Sequence, residues 1–345
     1  MKNQVGLSMV IAFLILIIIF SEGCKKDSNS PPTGLEDPNI SGVMMTMSAI
    51  SYTADSLSYS IIKDNIGILL RDETLATKGE WELVWGPGIS PNNENLLYVA
   101  KYTKGDSPAY TIAIRGTNIN SIANILKDLK VFTLVEFPYG MPGDSVGIGP
   151  MEGFTNLLNS QDSVTGTDLE AYLESITSSS KIPLYITGHS LGGGLAPMMA
   201  YWLITNEALK DKFTIATYAF AGPGWFNKSF KDNFLNTLPA DATFSMQVNS
   251  LDMIPYGYSN LPGIITGNIP VKVPGLYRIG ISIAQSMLTD ENIVYHNIAI
   301  ADSIGFIPIT KSSPILDSLT WYSHWLLVEH NHNSYLRLLD VKPLN

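Results

Sequence analysis

Gly188-His189-Ser190-Leu191-Gly192 sets one hydroxyl midway between two glycines. An apolar, β-branched run, Ile182 to Thr187, leads into it, and a long apolar stretch follows from Leu191. This pattern predicts a strand that turns sharply into a helix, with the serine at the turn. The chemistry that needs such a turn is nucleophilic attack. The Oγ is held exposed above a sheet, and small flanking residues let strand and helix approach each other. The helix N-terminus and the Leu191 amide then face the reacting oxygen. A serine used this way needs a histidine to take its proton and a carboxylate to fix that histidine's tautomer.

For the acid, Asp252 follows a strand-like run and a short turn in "ATFSMQVNSLDMIPYGY", which puts it at a carboxyl end of the sheet, where sites in α/β folds lie. Asp241 and Asp290 lack that strand-end setting and are expected to be solvated. The chain order serine, acid, histidine points the search for a base downstream. His189 adjoins the nucleophile but should point away from it into the packing. His296 and His324 fit packed or surface positions. His330 and His332, in "VEHNHNSYLRLLD", remain as alternative bases.

The elements that must position these groups alternate between strand and helix. Strands are predicted at Trp81–Gly88, ending in a Pro-Gly turn, and at Asn95–Thr103 and Ala109–Thr117, with a spacing that suggests antiparallel neighbours feeding a sheet. Further strands are expected at 182–187, 213–222 and 242–250. Helices are expected over 153–160, over 168–179 with Leu169, Leu173 and Ile176 in line, and from Leu191 to Leu209 despite Pro197. Such alternation argues for an α/β sheet with helices on its faces. Residues 47–63 suggest one helix with Ile50, Leu57 and Ile61 on one side. The Gly/Pro-rich stretch 261–325 suggests loops and short elements around a cleft.

The 345 residues are 45% apolar and only 15% charged, which fits a well-buried globular chain. Net charge is −10, and there is no basic cluster beyond Lys25-Lys26, so a nucleic-acid partner is not expected. A single cysteine excludes an internal disulfide, and five histidines without HExxH make a metal centre a poor first choice. The chemistry described requires no metal or organic cofactor, and oligomeric state is left open.

At the N-terminus, Lys2 precedes an apolar run from Val5 to Phe20, shorter than the ~20 residues of a spanning helix and suited to a secretory signal. "SEGC" then resembles a bacterial lipobox, with Gly23 just before Cys24, Ser21 three before it and Glu22 as an unusual occupant. The resemblance implies cleavage before Cys24, acylation of its thiol and a membrane-anchored lipoprotein of the cell envelope, in the bacterial outer membrane. Several acyl chains hold far better than one. The expected organisation is a signal peptide at 1–23, a flexible tether at 24–40 and a single domain at 41–345.

Four blocks together resemble the class 3 (fungal-type) lipases. "ITGHSLGGGLA" is similar to their nucleophile turn, and "AIRGTN", Ala113 to Asn118, to their oxyanion strand, with Asp128 matching the acidic residue that follows it. "GPMEGF" is similar to a His-x-Gly-Phe element but carries Met151 in place of the histidine, and "FAGPGWFN" resembles the turn after the next strand. The resemblance implies an α/β-hydrolase fold, mostly parallel with helices on both faces, and a lipid-anchored serine carboxylester hydrolase acting like a triacylglycerol lipase. It assigns the catalytic roles to Ser190, Asp252 and His330, and the oxyanion hole to Thr117 and Leu191. Asp252 is assigned through a matching Asn249/Ile254/Pro255 setting. A five-residue spacing to Tyr335 selects His330; a spacing nearer three would select His332. Arg115 is expected to pair with a carboxylate, Asp128 being the candidate. Ile122, Ile125, Leu126 and Leu129 sit at helical spacing where the family can carry a lid. Phospholipase A1, feruloyl or acetyl esterase, and an inactive binding lipoprotein that kept the fold are the alternatives.

Overall fold

In the computed structural model, the described residues are 37–54, 58–91, 93–104, 107–116, 130–266, 273–298, 302–303 and 326–344. They belong to one compact unit, Pro31–Asn345. The expected signal peptide, Cys24, Thr117, Asp128, the lid-like residues 122–129 and His324 lie outside the described residues.

The strands are β1 (Trp81–Ile89), β2 (Leu96–Tyr102), β3 (Tyr110–Ile114), β4 (Leu134–Glu136), β5 (Ser145–Gly147), β6 (Ile182–His189), β7 (Phe213–Phe220), β8 (Thr243–Val248) and β9 (Asp302–Ser303). Seven of them form one sheet in the order β1-β2-β3-β6-β7-β8-β9, while β4 and β5 make a separate hairpin. β1, β2 and β3 pair antiparallel, and from β3 onward the sheet is parallel. This is the mostly parallel α/β architecture expected.

The sheet is covered on both sides, and strand alternation shows it. Ile182, Leu184 and Ile186 of β6 enter one core with Phe213 and Ile215 of β7. Tyr185 joins Ala216, Tyr218 and Phe220 in the core on the opposite face. Each fully buried aliphatic or aromatic side chain contributes about 1.5–3 kcal/mol, so a one-residue slip in register would cost most of both cores.

The helices are α1 (Ile40–Ile50), α2 (Tyr59–Leu70), α3 (Ile148–Leu158), α4 (Leu169–Ser175), α5 (Leu191–Thr205), α6 (Lys228–Thr237), α7 (Leu261–Thr266), α8 (Gly275–Asp290) and α9 (His332–Leu338). None among the described residues is long and apolar enough to cross a membrane. α5 begins immediately after the serine and stays buried along most of its length. α1 forms part of the second core through residues such as Met44, Met47 and Ile50, and is pinned by Thr187 Oγ1 donating to the Met44 carbonyl at 2.9 Å.

Four sequence expectations change. Residues 47–63 do not make one helix: α1 ends at Ile50, a 3₁₀ turn covers Ser51–Ala54, and α2 starts at Tyr59. Ile50 is buried whereas Ile61 is 45% exposed, so they do not share a face. Gly86-Pro87-Gly88 is not a terminal turn, because β1 runs through it to Ile89 with shifted register against β2. The last residues of the expected tether are docked: Asp37 pairs with Lys78 at 2.6 Å, and the Asn39 side chain caps α1 through the Gly42 amide at 3.0 Å. Finally, the 261–325 stretch holds α8, a helix of 16 residues rather than short elements alone.

Candidate active site

Ser190 stands between β6 and α5 with φ 61° and ψ −125°, a backbone state that side-chain-bearing residues rarely occupy. Such a state persists only where its surroundings hold it. Here the Ser190 amide donates to the Phe220 carbonyl at 2.9 Å, and its carbonyl accepts from Gly194 N–H at 3.0 Å. The flanking glycines are demanded by close approach. A Cβ on Gly188 would lie 2.3 Å from the Gly192 carbonyl oxygen, and one on Gly192 would lie 2.2 Å from that of Ile114. The turn therefore brings the hydroxyl to the carboxyl end of the parallel strands, at the N-terminus of α5.

Asp252 is carried by the turn after β8, where its amide donates to the Asn249 carbonyl at 3.0 Å. Its carboxylate is wholly buried and meets three donors. Oδ1 accepts from Ile254 N–H at 2.9 Å, while Oδ2 accepts from His330 Nδ1 and from the Tyr335 hydroxyl, both at 2.7 Å. Burial, and next the charge of Asp252, push the Tyr335 hydroxyl well above its ordinary range, so it stays protonated and donates.

His330 ends a helical turn at 326–330, one residue before the cap of α9. Because a carboxylate can only accept, Nδ1 carries the ring proton. That leaves the Nε2 lone pair facing Ser190 Oγ at 2.7 Å. Serine, imidazole and carboxylate thus lie in one hydrogen-bonded line, all three buried.

The other histidines fall elsewhere. His189 turns away from the nucleophile as expected, with Nδ1 2.8 Å from the Tyr52 hydroxyl. Burial, then the neighbouring His330 and His332, hold it well below its ordinary pKa. His332 neither caps α9 nor faces water: Asn331 is the cap, and the His332 ring stacks on Tyr52 with centroids 4.7 Å apart. Burial, then His330, depress it to about 4. His296 is half-buried, away from the line. Asp241 and Asp290 are exposed.

Leu191 opens α5, where first-turn amides have no partner within the helix and point at the space above Ser190. Thr117 lies outside the described residues, but Gly116, directly before it, is in place: a Cβ there would stand 3.0 Å from Ser190 Cβ. Arg115 donates to Asn93, through the backbone carbonyl and, at 3.3 Å, the side-chain Oδ1; Asp128, its expected partner, lies outside the described residues. Met151 sits half-buried on α3 and lines an open groove of about 430 Å³ with Val135, Pro138 and Ile148.

Three residues of the site go beyond the sequence expectations. Tyr335, used in the sequence only as a spacing marker for the histidine, donates to Asp252 and accepts from Asn249 N–H at 3.0 Å. Asn249 Nδ2 holds the base's neighbour Glu329, donating to its carbonyl at 2.8 Å and to Oε2 at 2.6 Å. Tyr52, in the turn after α1, reaches the nucleophile turn. The first two lie in blocks already singled out, so their type and place were visible; nothing in the text near Tyr52 signals it.

A strained serine between a parallel strand and a helix, hydrogen-bonded through an imidazole to a buried carboxylate, defines a serine ester hydrolase of the α/β-hydrolase fold. Residues 111–259, the stretch that carries both Ser190 and Asp252, match the family model described as lipase (class 3). The structure superposes on that of M37 lipase with a TM-score of 0.72 and 23% identity, over 88% of this chain and 94% of that one. The Rhizomucor miehei lipase–propeptide complex gives a TM-score of 0.44 at 20% identity, over 63% of this chain and 62% of that one. Lip2 lipase from Yarrowia lipolytica gives 0.46 at 16% identity, over 66% and 78%. No curated protein sequence matches the chain.

Proposed function

We propose that the protein hydrolyses carboxylic esters of lipids, in the manner of a triacylglycerol lipase, with Ser190 as nucleophile, His330 as general base and Asp252 as the orienting acid. The observation that carries this reading is the continuous line Ser190 Oγ–His330 Nε2 and His330 Nδ1–Asp252 Oδ2, each link 2.7 Å. Ser190 Oγ attacks the ester carbonyl as its proton passes to His330 Nε2. The tetrahedral oxyanion is held by the Leu191 amide and by Thr117. The imidazolium, steadied by Asp252, gives its proton to the departing alcohol. Water then repeats the sequence on the acyl-enzyme and releases the fatty acid. Ser190→Ala should abolish turnover of p-nitrophenyl esters and labelling by a fluorophosphonate probe while leaving the melting temperature within a few degrees. Retained turnover in that variant removes the assignment.

The lipobox-like "SEGC" supports a finer reading, in which Cys24 is acylated and anchors the enzyme at the bacterial outer membrane. Cys24→Ala should then abolish incorporation of a palmitate analogue and release the protein from the membrane fraction. Labelling that persists in the variant places the lipid on another residue.

A further inference from the structure

The turn Ser51–Ala54 lies far from the site in sequence, yet it places Tyr52 against three of the site's parts at once. The Tyr52 hydroxyl lies 2.8 Å from His189 Nδ1 and 3.2 Å from the His189 backbone oxygen, one residue before the nucleophile. It has one proton to give, so it donates either to the ring nitrogen or to the carbonyl; in both cases the phenol is tied to the residue that precedes Ser190. The same hydroxyl fills the space beside Gly116, where a Cβ would stand 2.1 Å from it and 2.3 Å from the His189 carbonyl oxygen. Gly116 lies two residues after the end of β3 and directly before Thr117. On its ring face, Tyr52 stacks on His332 at 4.7 Å and 20° between planes, and His332 opens the helix that follows the base. His189 in turn packs 4.9 Å from the His330 ring and 5.0 Å from that of Tyr335.

We propose that Tyr52 is a positioning residue for ester hydrolysis: its hydroxyl locks the nucleophile turn to the end of the oxyanion strand, and its ring braces the histidine segment. The inference rests on the functional reading above. The nucleophile, the oxyanion strand and the base come from segments far apart in the chain, and each tolerates little displacement, since a misplacement of about 1 Å can lower a rate 10²-fold. β6 and β3 are paired as strands, but the pairing ends at Ile114–Gly188. Beyond that rung, at Gly116 and His189, the Tyr52 hydroxyl takes over the spacing between the two chains. It acts on transition-state geometry rather than on substrate affinity, because the groups it holds face the oxyanion and the serine.

The test is Tyr52→Phe, which keeps the ring stack and removes the hydroxyl, measured beside wild type and Ser190→Ala on p-nitrophenyl butyrate. The expected result is a kcat lower by about 10- to 100-fold with KM within about twofold and a melting temperature within a few degrees. Affinity for a trifluoromethyl ketone, which forms a tetrahedral adduct on the serine, should fall by the same factor as kcat/KM. A kcat within twofold of wild type overturns the inference, as does a loss of kcat with undiminished ketone affinity. If Ser190→Ala remains active, the functional reading itself has failed; if it is inactive while Tyr52→Phe is normal, only the present inference has. Should Tyr52→Phe not fold, His189→Asn, which keeps a side-chain acceptor for the hydroxyl, is compared with His189→Leu, which keeps only the backbone carbonyl. The leucine variant should show the larger loss of kcat, and equal activity of the two overturns the proposal.

Discussion

Replacing Asp252 by asparagine tests the electrostatics of the site with almost no change of shape. Three donors converge on the carboxylate: Ile254 N–H on Oδ1, and His330 Nδ1–H and the Tyr335 hydroxyl on Oδ2. An amide offers one acceptor oxygen, so its NH₂ must face a donor. With the NH₂ at the Oδ2 position it opposes two donors and forces the imidazole into the wrong tautomer. At the Oδ1 position it opposes only the Ile254 N–H, which leaves a buried donor unmatched at a cost of about 1–3 kcal/mol. The second placement costs less and keeps the proton on Nδ1. What is lost is the negative charge that steadies the imidazolium as the serine attacks. At about 4 Å and an effective dielectric constant near 20, that attraction is of order 4 kcal/mol before compensation by solvent and dipoles. A net loss of about 3–4 kcal/mol lowers kcat by about 10²- to 10³-fold. Steady-state kinetics on p-nitrophenyl butyrate should show this with KM nearly unchanged, and thermal melts should show destabilisation of about 1–3 kcal/mol. A kcat within fivefold of wild type would refute the role given to the carboxylate.

Other perturbations separate neighbouring groups. His330→Ala should remove activity and His332→Ala should keep a substantial part of it, because only His330 reaches Ser190 and Asp252; a dead His332 variant beside a live His330 variant reverses the assignment. Tyr335→Phe removes a donor from Asp252 and strands the Asn249 N–H, so stability should fall by about 1–3 kcal/mol and kcat by about tenfold, as checked by melts and kinetics together. Gly192→Ala sets a Cβ 2.2 Å from the Ile114 carbonyl oxygen, and the variant should lose fluorophosphonate labelling even where it folds. His332 and His189 are held below the ordinary histidine pKa of about 6.5, His332 at about 4, so the unfolded chain binds more protons at these sites between those values. The stabilisation is complete above about pH 6.5 and is lost as pH falls toward 4, by up to about 3 kcal/mol from His332. Denaturant titrations at pH 7 and pH 4.5 measure it, and replacing His332 by phenylalanine should flatten the dependence.

How much of this was legible follows from the range of the interactions concerned. The strand into Ser190 and the turn carrying Asp252 are local: period-two burial, a glycine where a carbonyl approaches, and a strand end are written within a dozen residues. The break between α1 and α2 was not legible. Ile50 and Ile61 are both apolar, and only the packing of α1 under β6 decides that one is buried and the other not. Tyr52 is the extreme case, meeting His189 across 137 positions in a stretch whose own text is small and polar. α8 was hidden by its composition, since Gly275 and Gly280 suggested loop and the packing that overrides their low helix propensity comes from elsewhere.

The base shows why spacing alone falls short. His330 and His332 differ by two positions, and spacing to Tyr335 chose between them only through resemblance. The physical discriminator is Asn331. Its side chain accepts from Asn333 N–H at 2.8 Å and starts α9 there, which puts His332 on the helix and His330 before it. Tyr335, one turn into α9, then delivers its hydroxyl to the same Asp252 oxygen that receives His330 Nδ1. The helix start and the acid's second donor therefore fix the base jointly. Moving the cap should disturb catalysis without touching the triad. Asn331→Ala should cost about 1 kcal/mol of stability and, by loosening the register between His330 and Tyr335, lower kcat, whereas Asn331→Asp, which retains a capping oxygen, should preserve both. Equal kcat in the alanine and aspartate variants would show that the base is held without the cap.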